Sequence, residues 1–264
     1  MIKSPRSKRS GRNLSFKKDL TTKDIALIIC FTTLYAVLAS IPIFQILGMP
    51  SKYITAAAIT TPVMGFLLGP YIGALSATLG GTITFFAGNF YPPSFVSGIV
   101  TAYIAGLQCT GKRIMSVLMY FLLLAFFCFY PSIGPFWLFP QLVWFQTIGL
   151  LILISPLGSV AINNVKTSSN RKLVLSFFII SLTSTLTGQI SGSLTNVLCA
   201  QAGILPLPQG GWQALWVGLT IVYPIERIVI ALSAASIGAS LFKVLRSANL
   251  TKLISRDGRR EKSP

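Results

Sequence analysis

The chain has 264 residues, 53% of them hydrophobic and only 10% charged, with a formal net charge of +17. Soluble domains carry roughly 25% charged residues, so this surface is too apolar for folding in water, and the composition reads as an all-α, polytopic membrane helical bundle. There is no histidine, and of five acidic residues Glu226 alone falls between Ile25 and Leu241, which leaves no paired carboxylates or His-based constellation for an enzyme.

In chain order, residues 1–23 form a basic tail too polar to bury a core. The apolar run that follows has no small-x-small cleavage site, so it reads as a retained first helix and not as a signal peptide. Eight apolar segments come next, at 24–42, 53–69, 70–88, 94–110, 113–131, 136–161, 172–200 and 213–246. They are long and continuous, without the alternation of a transmembrane barrel. Turn residues divide them: Gly48-Met49-Pro50, Gly69-Pro70, Tyr91-Pro92-Pro93 and Gly111-Lys112-Arg113, and later the Pro131–Pro135 and Leu205–Gly211 stretches. Residues 247–264 form a second basic tail. Together these give a transmembrane domain over 24–246 between two basic tails.

Cytoplasmic loops collect Lys and Arg. Here 20 of the 22 basic residues fall in tails or loops reached after an even number of segments, with Lys52 on the other side and Arg227 inside a segment. That asymmetry predicts about eight spans with both termini cytoplasmic. A six-helix core plus a short extra pair satisfies it equally, because the segments at 53–69 and 94–110 are short for a hydrocarbon core of ~30 Å. The tails suit anionic lipid headgroups as partners and not nucleic acid, since Phe16 is their one aromatic residue. Cys30, Cys109, Cys128 and Cys199 are far apart, with no CxxC pair, and predict no metal site.

Gly65, Gly69, Gly73, Ala77 and Gly81 recur every four residues. Small residues at that spacing let helix backbones approach closely, and Pro70 divides the stripe between two helices joined by a tight turn. The surrounding stretch, GFLLGPYIGALSATLG from Gly65 to Gly80, resembles the substrate-binding (S) components of energy-coupling factor vitamin transporters. The start also resembles them, with a basic tail, then Asp24-Ile-Ala-Leu-Ile-Ile and Leu34-Tyr-Ala-Val-Leu-Ala-Ser-Ile-Pro42. The resemblance covers residues 22–110. It implies a membrane protein that captures a vitamin or similar nutrient from outside. A transmembrane coupling protein and a pair of cytoplasmic ATPases would be its partners. It implies no cofactor on this chain, ATP being used only by the partner subunits, and no GxxxxGK[ST] sequence occurs here. Family members dock on the coupling protein through an Ala-x-x-x-Ala face of the first helix. The matching positions are Ala36, Ala39 and Ser40, so one Ala of the pattern is Ser. The family core has six helices, against eight segments counted here.

Polar residues within apolar segments are costly and point to function. In 213–246, the stretch from Trp212 to about Val222 reads as an interfacial piece, with the helix proper starting near Pro224. Glu226 and Arg227 then fall in the outer third of the bilayer, Glu226 against the positive end of the helix dipole. They form either a structural ion pair or a ligand contact. The 172–200 segment is rich in Ser and Thr, and its Gln189, Gly192 and Asn196 share one face. That face serves either interhelical hydrogen bonding or a ligand-facing wall. Asn89 and Tyr91 fall in an outer loop. The candidate substrate-binding set is Asn89, Tyr91, Gln189, Asn196, Glu226 and Arg227. Trp137, Trp144, Trp212 and Trp216 suit an interfacial aromatic belt. The competing reading is a stand-alone secondary transporter, proton-coupled through Glu226.

Overall fold

The computed structural model describes residues 22–46, 52–88, 91–130, 140–165, 167, 169–208 and 211–248. The helices are α1 (Thr22–Leu38), α2 (Ala57–Leu68), α3 (Pro70–Phe86), α4 (Pro92–Cys109), α5 (Arg113–Phe129), α6 (Pro140–Ile154), α7 (Pro156–Asn164), α8 (Asn170–Gln201) and α9 (Gly211–Ser247). Between α1 and α2, strands β1 (Pro42–Gln45) and β2 (Tyr53–Thr55) pair antiparallel, with a register shift between Pro42 and Phe44. The hairpin is an addition to the all-helical expectation. β1 starts at the last residue of the first segment and runs into the loop after it, while β2 takes the start of the second segment, which leaves α2 only 12 residues long.

The bundle buries a polar stretch of α8 within its apolar core and exposes large apolar side chains on its outer surface. Ser181, Thr183, Ser184, Thr185, Thr187, Gln189, Ser191 and Ser193 of α8 are all buried, while Phe86, Phe121, Phe129, Leu151, Ile221 and Leu232 on other helices are exposed. That arrangement fits a helical membrane protein, in which lipid and not water covers the outer surface. One core cluster joins α1–α4 to the N-terminal half of α8 and the C-terminal half of α9. A second joins α5, α6, the rest of α8 and the start of α9.

The expectation of about eight spans is corrected by helix length. Among the described residues two helices, α8 and α9, are long and apolar enough to cross a membrane. The count rises to three if α6 and α7, bent by 64° at their break, form one span. At ~1.5 Å per residue, the 12 residues of α2 reach only about 18 Å. The 17 residues of α3 and of α5 reach about 26 Å, short of the ~30 Å core.

Close approach near the Gly-Pro turn comes from the small residues, although the stripe does not serve one partner. Gly69 ends α2 at φ 78°, a left-handed conformation natural to glycine, and Pro70 starts α3 with φ already set for a helix. A methyl group on Gly65 would stand 2.5 Å from the Ala102 carbonyl oxygen of α4, and one on Gly106 would meet the Gly69–Pro70 backbone. Gly73 instead faces the Met64 carbonyl of α2, Gly81 faces the Phe95 ring of α4, and Ala77 is buried. Gly188 and Gly192 do for α8 what Gly65 does for α2, bringing it against Ser97 and Pro93 of α4.

Pro156 supplies no N–H for Ile152 O, which accepts from Ser155 Oγ at 2.8 Å instead, and the 64° bend leaves the last carbonyls of α6 open to a side-chain donor. Arg113, at the start of α5, donates to them: Nε to Leu153 O at 2.9 Å, and Nη2 to Ser155 O at 2.7 Å and to Ile154 O, while Nη1 donates to Ser159 Oγ. Arg113 therefore caps a broken helix and is not simply a loop cation facing lipid. Arg113→Ala is expected to cost roughly 1.5–3 kcal/mol, the range for charge-assisted hydrogen bonds, read as a lower unfolding midpoint in detergent. Arg113→Lys should recover little of this, because a point charge cannot reproduce the guanidinium fork.

Candidate binding site

Five helices and the hairpin converge at the bundle end formed by the C-termini of α1 and α8, the N-termini of α2 and α4 and the N-terminal half of α9. They enclose a cavity of about 100 Å³, well above the roughly 10–15 Å³ that one water needs. Its α8 wall runs Thr185, Gln189, Gly192, Ser193 and Asn196, a helical face at spacings of four, seven and eleven from Thr185 with Ser193 beside it. Its α9 wall is Leu215, Leu219, Tyr223, Glu226 and Arg227. From α4 come Pro93, Ser94, Ser97, Gly98 and Thr101, with Tyr91 just before it. Tyr35, Thr61 and the hairpin's Ile54 and Thr55 help to close it.

Five of the six candidate residues, Tyr91, Gln189, Asn196, Glu226 and Arg227, line this one cavity; Asn89 lies outside the described residues. Tyr91 donates its hydroxyl proton to Asn196 Oδ1 at 3.3 Å, joining α4 to α8. Tyr223 lines the cavity together with Ser193 of α8, and the Arg227 guanidinium sits 5.9 Å from the Tyr223 ring centroid.

Glu226 and Arg227 are 2% and 7% exposed, and Arg227 Nη2 stands 3.9 Å from Glu226 Oε2. That distance makes an ion pair but not a hydrogen bond. Glu226 Oε2, Arg227 Nε and both Nε2 and Oε1 of Gln189, itself 4% exposed, have no hydrogen-bond partner. Buried charges are normally both paired and hydrogen-bonded. The two side chains share a cavity because Tyr223 precedes them by three and four positions, and residues at those spacings share a helix face.

Several sequence expectations change here. Pro224 lies inside a continuous α9 of 37 residues, so no helix starts there and the dipole argument for Glu226 falls. A membrane helix tolerates such a proline because neighbours can satisfy the freed carbonyl. The hydroxyls of α8 mostly do not bond between helices. Thr185 donates to Ser181 O, Thr187 to Thr183 O, Ser191 to Gly188 O and Thr195 to Ser191 O, all at 2.7–2.8 Å. Thr183 also reaches Gln108 Oε1 on α4 at 3.0 Å. Trp216 is buried and stacks on Trp212, with ring centroids 5.8 Å apart, so it belongs to the core and not to an interfacial belt; Trp144 is exposed. Trp137 lies outside the described residues. Ala36 lies on α1 and is half-buried, whereas Ala39 and Ser40 fall in the turn after it, Ala39 packing toward the core and Ser40 exposed.

Tyr35, Ser97, Thr101 and Tyr223 were not singled out from sequence. Ser97 and Thr101 carry a readable signal, four residues apart beside Gly98. Tyr35 and Tyr223 carry none, because an aromatic residue in an apolar run looks like core. The described lining offers hydrogen bonds and one ion pair, which is the chemistry of binding. Comparison with known protein families, curated proteins and solved structures gives no match for this chain.

Unpartnered buried polar atoms cost roughly 1–3 kcal/mol. Gln189→Leu is therefore expected to stabilise the ligand-free protein, raising its unfolding midpoint in detergent by a few degrees. An unchanged or lower midpoint would show that the Gln189 amide is not held at a cost.

Proposed function

We propose that this chain is the membrane-embedded substrate-capture subunit of an ATP-driven importer for a vitamin or similar small nutrient, and that it binds and does not catalyse. The observation that carries the reading is the cavity lined by Gln189, Glu226 and Arg227, each more than nine-tenths buried and each with polar atoms that have no hydrogen-bond partner. Such atoms are stable when a ligand completes them. The stretch from Gly65 to Gly80 adds the resemblance to S components.

Charge asymmetry orients the site. Lys23, Lys112, Arg113, Arg171, Lys172, Lys243 and Arg246 lie at the N-termini of α1, α5 and α8 and the C-termini of α4 and α9. That is the bundle end opposite the cavity. The positive-inside rule makes it cytoplasmic, with both tails, so that the cavity opens outward. The basic tails rest on anionic headgroups. ATP hydrolysis belongs to a pair of cytoplasmic ATPases, reached through a transmembrane coupling protein.

For docking on that protein, Ala36 of α1 and Ser40 in the turn after it are the accessible small positions. A bulky residue there holds a partner helix away. The chain carrying an affinity tag is expected to co-purify with two ATPase subunits and a larger membrane protein, and Ala36→Leu should remove most of that association without unfolding the bundle. Uptake by intact cells should stop on ATP depletion and survive collapse of the proton gradient. The reverse dependence, with no co-purifying ATPase, would favour a proton-coupled carrier using Glu226.

A further inference from the structure

The unpartnered atoms in the cavity specify a charge pattern. Glu226 Oε2 is an acceptor carrying negative charge, Arg227 Nε is a donor carrying positive charge, and Gln189 offers one neutral donor and one neutral acceptor. Resting on the capture reading above, we propose that the site takes a compact, amino-acid-type zwitterion. Its ammonium group donates to Glu226, its carboxylate accepts from Arg227, and the Gln189 amide bonds the remainder of the molecule.

Other ligand classes fit the same atoms less well. A monoanion would engage Arg227 but set a like charge near Glu226, whose Oε2 would stay unpartnered. A monocation reverses the fault, leaving Arg227 Nε without an acceptor. Either one also brings a net charge into a cavity whose own charges cancel, and uncompensated charge in a membrane interior is costly. A neutral polar molecule could bond all of these groups, but only a zwitterion offers each charged side chain an oppositely charged hydrogen-bonding group of the ligand, and hydrogen bonds between ions are the stronger kind. Size points the same way. At about 100 Å³ the cavity is smaller than the ~300–1,000 Å³ of drug-sized pockets, so the ligand is compact.

The test uses the full chain, purified in detergent at pH 7, and a panel of the twenty standard amino acids. Each is paired with its C-terminal amide, a monocation at the α-centre, and its N-acetyl form, a monoanion there. Binding is read by titration calorimetry. At least one amino acid should bind, with its amide and its N-acetyl form each at least tenfold weaker. In Glu226→Gln the preference should shift toward the N-acetyl form, and in Arg227→Gln toward the amide. A purely structural role for the pair would weaken all three forms alike. The wild-type comparison decides the matter even if neither variant folds. A derivative that binds as tightly as its parent overturns the proposal, as does a panel in which no amino acid binds. Mass spectrometry of small molecules released from gently purified protein separates the two readings. A released compound that is not zwitterionic sinks this proposal and leaves the capture reading standing.

Discussion

Every polar group in this bundle has to find its partner inside the protein, because the outer surface is apolar and offers none. This constraint accounts for α8. A helix with so many hydroxyls would read as soluble in another setting, yet here it is buried on most sides. It can be buried because Ser and Thr turn their hydroxyls back onto carbonyls three or four residues earlier in the same helix. The helix thus satisfies itself and needs little from its neighbours. Gln189 cannot do this. Its amide is too long and carries two donors and an acceptor, and both its polar atoms lack a hydrogen-bond partner, as does Ser181 Oγ two turns earlier.

The same constraint governs the breaks. Where a membrane helix stops or bends, carbonyls are freed, and each break described here has a local answer. At α6–α7 the answer is Arg113, whose guanidinium reaches three consecutive carbonyls from another helix. At α2–α3 it is geometry: Gly69 takes the left-handed conformation, and Gly69 N–H still bonds Gly65 O at 3.1 Å. Gly65 and Gly106 then allow α4 to pass close to that turn. This junction lies at the end of the bundle away from the cavity. It fixes α2 and α4, whose opposite ends supply Thr61, Ser94 and Ser97 to the site.

Much of this was legible in the sequence. Apolar runs and turn residues gave most helices, because continuous hydrophobicity and Gly-Pro punctuation are local signals. The α8 face was readable from the spacing of Gln189, Gly192 and Asn196, and Glu226 from its isolation among apolar residues. Span length was less legible. Hydropathy does not mark where the hairpin takes over from α2, since Tyr53 and Ile54 suit a strand as well as a membrane helix. The kink at Pro156 lies within one apolar run, and the capping role of Arg113 depends on a partner about forty residues away. Local pattern carries no information about such long-range contacts.

The Pro224 region shows how a misread local signal can still single out residues that line the cavity. Proline suggested a helix start and placed Glu226 by its dipole; the helix is in fact continuous. Side chains of successive helical residues project about 100° apart, which suggested that Glu226 and Arg227 face different neighbours. Tyr223 resolves this. Counted from Tyr223, position 226 falls about 60° to one side and position 227 about 40° to the other, so the three share one helix face, and all three line the cavity. The Arg227 guanidinium stands 5.9 Å from the Tyr223 ring centroid. The Glu226 and Arg227 side chains leave the helix in directions about 100° apart and meet only at 3.9 Å, a distance that leaves Glu226 Oε2 and Arg227 Nε without a hydrogen-bond partner.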